Sequence, residues 1–174
     1  MPPSEGALGA GASEARAAAE RTFETSSEEE TRRLGERLGK ALGPGDVVGL
    51  IGDLGAGKTV LAQGIVAGLG GREDAVSPSF TLVNVYEAPL PVYHLDFYRL
   101  GREEDAESLG LRDLLDGRGV VLVEWADRVP SSLPADRLEV TLRRIDDRRR
   151  TFTLRPLGPS AARALARLVA PGPE

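Results

Sequence analysis

Apolar and polar positions recur along this chain with two periods, and each switch between them marks an element. Thr22–Thr25 is a short strand candidate. Ser26 with Glu29, or Ser27 with Glu30, then forms a capping box, and Leu34, Leu38 and Leu42 recur every fourth residue as the buried stripe of a helix. Gly43-Pro44-Gly45 ends that helix. Asp46–Ile51 is an apolar strand, Gly52–Gly57 a glycine-rich loop and Lys58–Leu69 a helix closed by Gly70-Gly71. Two strand-like runs, Thr81–Glu87 and Val92–Leu95, are joined by a turn at Ala88-Pro89-Leu90-Pro91. Glu103–Ser108 and Leu111–Leu115 read as short helices. Val120–Val123 is uninterruptedly aliphatic, as a central strand buried on both faces must be. Pro130 and Pro134 bracket a loop. Arg137–Arg143 and Thr151–Arg155 alternate around Asp146-Asp147, a β-hairpin signal, and Ala161–Val169 reads as a terminal helix. Strands alternating with helices predict an α/β fold with a largely parallel sheet and an antiparallel appendix.

Residues 1–21 stand apart. They are rich in Ala, Gly, Ser and Glu and lack Ile, Val and aromatic residues, which predicts a flexible tail. The expected organisation is a tail over 1–21, one domain over 22–158, and a helix with a short tail over 159–174. The full 174 residues suit a single core.

Composition narrows the chemistry. With no Cys, disulfides, thiolate metal sites and Cys nucleophiles are excluded. A single His makes a Ser-His-Asp triad improbable. No apolar run approaches membrane-spanning length, and the N-terminus lacks the pattern of a secretory leader. A cytoplasmic protein without membrane attachment is expected. The net charge of −5 disfavours a free-standing nucleic-acid binder. Of 22 basic residues, 20 are Arg and two are Lys, Lys40 and Lys58. The positions of the rare Lys58, His94 and Trp125 are therefore informative.

Gly52-Asp53-Leu54-Gly55-Ala56-Gly57-Lys58-Thr59 matches G-x-x-x-x-G-K-[ST], a phosphate-binding loop. About 0.003 occurrences are expected by chance at this composition. Glycines let successive N–H groups turn inward around an anion, and the following helix adds its positive end. Lys58 is a flexible point charge for phosphate oxygens, and the Thr59 hydroxyl suits Mg²⁺. Such a loop needs a carboxylate at a neighbouring strand end. Val120–Val123 leads directly into Glu124, with Trp125 beside it. In Tyr93–Arg99, strand spacing places His94, Asp96 and Tyr98 on one face, so His94 and Asp96 are expected together near a γ-phosphate. Ser77-Pro78-Ser79-Phe80-Thr81 suits a loop closing over that phosphate. The first helix's start, Thr25–Glu28, and Arg148–Arg150 are candidates for the nucleotide base, although a run of arginines is usually solvated.

Together, Gly52–Thr59, Ser77–Val83, His94–Leu100 and Val123-Glu124-Trp125, with Leu34–Leu38, resemble the bacterial TsaE (YjeE) family over roughly Thr22–Gly158. Ser79 stands where the family usually has Thr, and Phe97 where Leu is common. The resemblance implies a P-loop NTPase-like three-layer fold with a mostly parallel sheet and a C-terminal antiparallel hairpin. It also implies slow, Mg²⁺-dependent ATP hydrolysis in tRNA threonylcarbamoyladenosine biosynthesis. The modified base is the adenosine beside the anticodon in tRNAs reading codons that begin with A. Implied partners are a threonylcarbamoyl transferase and its inactive paralogue (TsaD and TsaB type), with tRNA met through that complex. Implied cofactor contacts are Asp53, Gly55, Ala56, Gly57, Lys58, Thr59 and Ser79. Thr59 and Glu124 are implied at the metal, and Lys58, Asp96 and Glu124 in catalysis.

Three other classes compete. A small-molecule kinase fits the loop and the size, but an Arg-rich lid and a second substrate motif are missing from the sequence. A GTPase would need Asn-Lys-x-Asp, and neither lysine follows Asn. A nucleotide-dependent interaction module differs from a slow ATPase only in whether hydrolysis matters.

Overall fold

The structure, a computed structural model, describes residues 20–53, 55–72, 83–100, 102–108 and 110–172. The expected N-terminal tail therefore lies outside the described residues except at Glu20 and Arg21, as does the expected phosphate-closing segment Ser77–Thr81. The elements in order are β1 (Arg21–Thr25), α1 (Glu28–Ala41), β2 (Val47–Ile51), α2 (Lys58–Gly68), β3 (Val83–Tyr86), β4 (Val92–Asp96), α3 (Glu103–Ser108), α4 (Leu111–Leu114), β5 (Val120–Glu124), β6 (Leu138–Arg144), β7 (Arg150–Pro156) and α5 (Pro159–Val169). Short 3₁₀ turns at Ala126–Arg128 and Pro130–Ser132 occupy the loop that the prolines bracket.

All seven described strands form one sheet in the order β1-β7-β6-β2-β5-β4-β3. The centre, β6-β2-β5-β4, is parallel. The β6–β7 hairpin is antiparallel, as its alternating pattern predicts. β1 adds antiparallel to β7, and β3 pairs antiparallel with β4.

Two apolar layers hold the sheet. On one face α1, α2 and α5 pack on Val48, Leu50, Val120, Leu122 and Val140. On the other, Leu95, Phe97, Val121 and Val123 are covered by Ala106, Leu111, Val129 and Leu133 from short helices and turns. β5 alternates between the two layers, which is why it carries no polar position before Glu124. The start of α1 selects one of the two predicted caps. Ser27 accepts the Glu30 N–H at 3.1 Å. The Glu30 carboxylate reaches one residue beyond the usual box and accepts the Ser26 N–H at 2.6 Å.

α1 and α2 touch backbone to backbone. Gly35 and Gly39 on α1 interlock with Gly64 and Gly68 on α2. A methyl group at Gly35 would lie 2.5 Å from the Leu61 carbonyl oxygen. Methyl groups at Gly39, Gly64 and Gly68 would be driven into the backbones of Ile65, Arg32 and Glu36. Helix propensity alone favours Gly64→Ala by about 1 kcal/mol. Overpacking of this contact is expected instead to destabilise the variant by roughly 1–3 kcal/mol. Urea unfolding checks the sign, and an unchanged or raised midpoint would mean that the helices separate freely.

Candidate functional site

The parallel register brings the chemistry to one edge. Leu50 lies opposite Glu124 on β5, and Glu124 lies opposite Asp96 on β4. The three strands therefore end level, at the carboxyl edge where α/β sheets bind ligands. The chain leaves β2 into the glycine loop. Gly55 and Gly57 have φ of 77° and 106°, a region that side-chain-bearing residues avoid. α2 starts at Lys58, with its free N–H groups turned to the same edge.

A cavity of about 260 Å³ opens there, with Gly55, Gly57, Lys58, Thr59, Asp96 and Glu124 in its wall. Sequence-predicted residues from three separate segments thus meet at one place. Glu124 and Asp96 are buried, at 2% and 3% exposure. Asp96 Oδ1 accepts the Tyr98 N–H at 2.8 Å, which fixes the carboxylate at the strand end.

Lys58 folds over its own loop. Its ammonium donates to the carbonyl oxygens of Gly52 at 2.5 Å and Asp53 at 2.8 Å. It also lies 4.3 Å from the centre of the Trp125 ring. Burial pushes its pKa below the ordinary 10.5, while the carboxylates of Glu124, Asp96, Asp53 and Asp127 pull it upward. Trp125 has φ of 59°, the one positive value of a non-glycine among the described residues, and it lines the same cavity. The Tyr98 ring lies 5.0 Å away and the Arg128 guanidinium 5.2 Å away. Arg128 also donates to the Tyr98 carbonyl at 2.7 Å. Sequence reasoning passed over Arg128, whose only signal was a cation three residues after the sole Trp.

Other sequence-predicted residues sit differently. Asp53 and Ala56 line a separate hollow with Leu142, Arg143 and Arg144, and Ala56 is buried. Neither lines the first cavity. His94 is fully buried and absent from the cavity wall. The expectation that it works beside Asp96 at the phosphate end is corrected: its Nε2 lies 3.4 Å from Glu124 Oε2, behind the site. Two residues after Asp96, Tyr98 has left the strand and is 39% exposed. Leu54 and Ser79 lie outside the described residues.

A second cavity of about 380 Å³ continues from the first, sharing Glu28, Gly55, Gly57 and Val60. Ser26, Ser27 and Thr31 from the start of α1 form one wall, and Asp147, Arg148 and Arg150 from the hairpin tip form another. Both base-site candidates therefore meet here. Hydrogen bonds tie the tip: the N–H groups of Arg149 and Arg148 and the Arg149 side chain hold the Asp146 carboxyl well below the usual carboxylate range.

Strand, glycine loop and helix in this order, at the edge of a parallel sheet, define a P-loop protein. A family model described as "Threonylcarbamoyl adenosine biosynthesis protein TsaE" matches residues 25–152. The chain belongs to this TsaE family. It is 40% identical over 137 residues to the tRNA threonylcarbamoyladenosine biosynthesis protein TsaE of Bacillus subtilis, covering 78% of this chain and 85% of the relative. It is 41% identical over 128 residues to that of Treponema pallidum, covering 74% and 95%. The crystal structure of Bacillus subtilis YdiB superimposes with a TM-score of 0.73 at 34% identity, covering 86% of this chain and 93% of that one. Among the described residues no helix is long and apolar enough to cross a membrane.

With only two lysines in the chain, the protonation of Lys58 can be read directly. Acetylation of the ligand-free protein by acetic anhydride across pH, followed at the Lys58 peptide by mass spectrometry, is expected to show a midpoint below 10.5. A midpoint at or above that value would mean that the surrounding carboxylates outweigh burial.

Proposed function

We propose that this chain binds ATP with Mg²⁺ and hydrolyses it slowly to ADP and phosphate. That hydrolysis supports threonylcarbamoylation of the adenosine beside the anticodon in tRNAs that read codons beginning with A. The observation that carries the reading is the convergence of Lys58, Thr59, Asp96 and Glu124 on one cavity at the carboxyl edge of the sheet.

The roles follow from position. Backbone N–H groups of Gly55, Ala56, Gly57 and Lys58, with the positive end of α2, cradle the phosphates. Lys58 leaves the carbonyls of Gly52 and Asp53 for the β- and γ-phosphate oxygens. The Ser79 hydroxyl is a further proposed nucleotide contact, as the family resemblance implies. The second cavity takes the adenosine, between the start of α1 and the arginines of the hairpin tip.

The metal donors are all oxygens, from the Thr59 hydroxyl and the Glu124 carboxylate with Asp96 beside them. Hard oxygen donors in this small number suit Mg²⁺, which is held by one or two carboxylates together with substrate phosphates. When bound, Mg²⁺ neutralises charge on the β- and γ-phosphate oxygens. Asp96, fixed by the Tyr98 N–H, orients the attacking water. The water oxygen bonds to the γ-phosphorus, the bridge to the β-phosphate breaks, and the water's protons leave with the products.

The acidic net charge supports a division of labour in which tRNA is held mainly by partner proteins. The transferase and its inactive paralogue are those partners, and the cytoplasm is the compartment.

Lys58→Ala and Glu124→Ala are each expected to lower phosphate release about 10²-fold or more. With γ-labelled ATP the label is expected in inorganic phosphate alone. Label in an organic product would favour the small-molecule kinase, and unchanged release in both variants would contradict the proposed site.

A further inference from the structure

We propose that His94 is a positioning residue that holds the Glu124 carboxylate in the orientation from which it meets the metal. The inference rests on the proposed Mg²⁺ site and concerns a group that the site itself does not contain. His94 is the chain's sole histidine. It sits in β4 two residues before Asp96, with Leu122 opposite on β5 and Asn84 opposite on β3. Its ring is fully buried on the helix-covered side of the sheet, and the Tyr86 ring lies 6.2 Å away at a tilt of 38°.

Among the described residues neither ring nitrogen meets hydrogen-bond geometry with a partner in the ligand-free fold. A buried polar group left in this condition is a net cost to the fold, so an apolar residue would serve packing better. The ring's polar neighbour is Glu124, whose Oε2 lies 3.4 Å from Nε2. Glu124 thus lies between the Lys58 ammonium in the cavity wall and the imidazole Nε2, 3.4 Å from its Oε2. A carboxylate held from the rear keeps one oxygen facing the phosphate loop instead of rotating between partners. Carboxylate ligands are commonly fixed by such outer partners, whose loss typically weakens metal binding or activity 10–100-fold. The action runs through the Nε2–H.

Three variants separate this role from packing. His94→Gln places an N–H near the Nε2 position, His94→Asn reaches only the Nδ1 position, and His94→Phe keeps the shape without a donor. The readout is Mn²⁺ affinity in the presence of a non-hydrolysable ATP analogue, measured by the electron paramagnetic resonance of free Mn²⁺. Phe and Asn are expected to weaken Mn²⁺ binding 10–100-fold while metal-free binding of the analogue is unchanged, and Gln is expected to recover most of the loss. Wild-type affinity in His94→Phe, or a Gln variant as weak as Phe, would overturn the proposal. Glu124→Ala tells the two failures apart. If it too binds Mn²⁺ normally, the metal site itself is wrong and the proposal falls with it; if it alone is weak, only the role of His94 is lost. Folding of the variants is bypassed by a measurement on the unaltered ring. In untagged protein labelled with ¹⁵N-histidine, the single imidazole is expected to show an Nε2–H resonance that shifts in Glu124→Ala. An Nε2 without hydrogen, or a resonance indifferent to Glu124, would overturn the proposal.

Discussion

The contact of α1 with α2 is the constraint on which the site depends. At the crossing of Gly35 and Gly39 with Gly64 and Gly68 the helices meet through bare backbone, leaving no room for even one methyl group. α2 carries Lys58 and Thr59 at its start, while α1 carries Ser27, Glu28 and Thr31 at its own. The glycine crossing therefore sets the distance between the phosphate loop and the wall of the adjoining cavity. The hairpin tip supplies the opposite wall, and β1 ties that hairpin to the start of α1 by pairing with β7. Secondary structure far from any ligand thus determines the shape of the space between the two walls.

Charge gives that space its chemistry. One desolvated ammonium, Lys58, stands among the carboxylates of Glu124, Asp96, Asp53 and Asp127. The surplus is negative, and phosphates alone would add to it. On the proposed reading, a divalent cation entering with the phosphates would offset part of this surplus, and Lys58 would exchange carbonyl partners for phosphate oxygens. Trp125 is placed over the same ammonium at the expense of a left-handed backbone, a conformation that costs about 1–3 kcal/mol. Strain at this position is consistent with a residue placed by the site's geometry more than by core packing.

Much of this is legible in the linear chain because it is local. The β2–loop–α2 unit, the all-apolar β5 and the alternating hairpin each obey a short-range rule. The α1–α2 crossing does not: Gly35 and Gly39 look like helix-weakening residues until the partner pair on α2 is brought against them. His94 was misplaced because strand periodicity gives a face but not a depth. It shares a face with Asp96 yet lies two residues further from the strand's end, where that face is already core. Asp53 and Ala56 belong to the loop motif, but the loop's curl sets them against another hollow. Arg148 and Arg150 resemble a solvated run, and only the fold reveals that the hairpin tip reaches the start of α1.

We propose that ATP hydrolysis at this edge, and not nucleotide binding alone, drives the chain's contribution to tRNA modification. The direct measurement is repeated turnover of threonylcarbamoyladenosine formation in a reconstituted mixture of this protein, the transferase pair, threonylcarbamoyl-adenylate and tRNA. Product is expected to exceed the amount of transferase when ATP is supplied, and to stop near one equivalent with a non-hydrolysable ATP analogue. Equal, repeated turnover with the analogue would contradict the account and leave the chain a nucleotide-dependent interaction module.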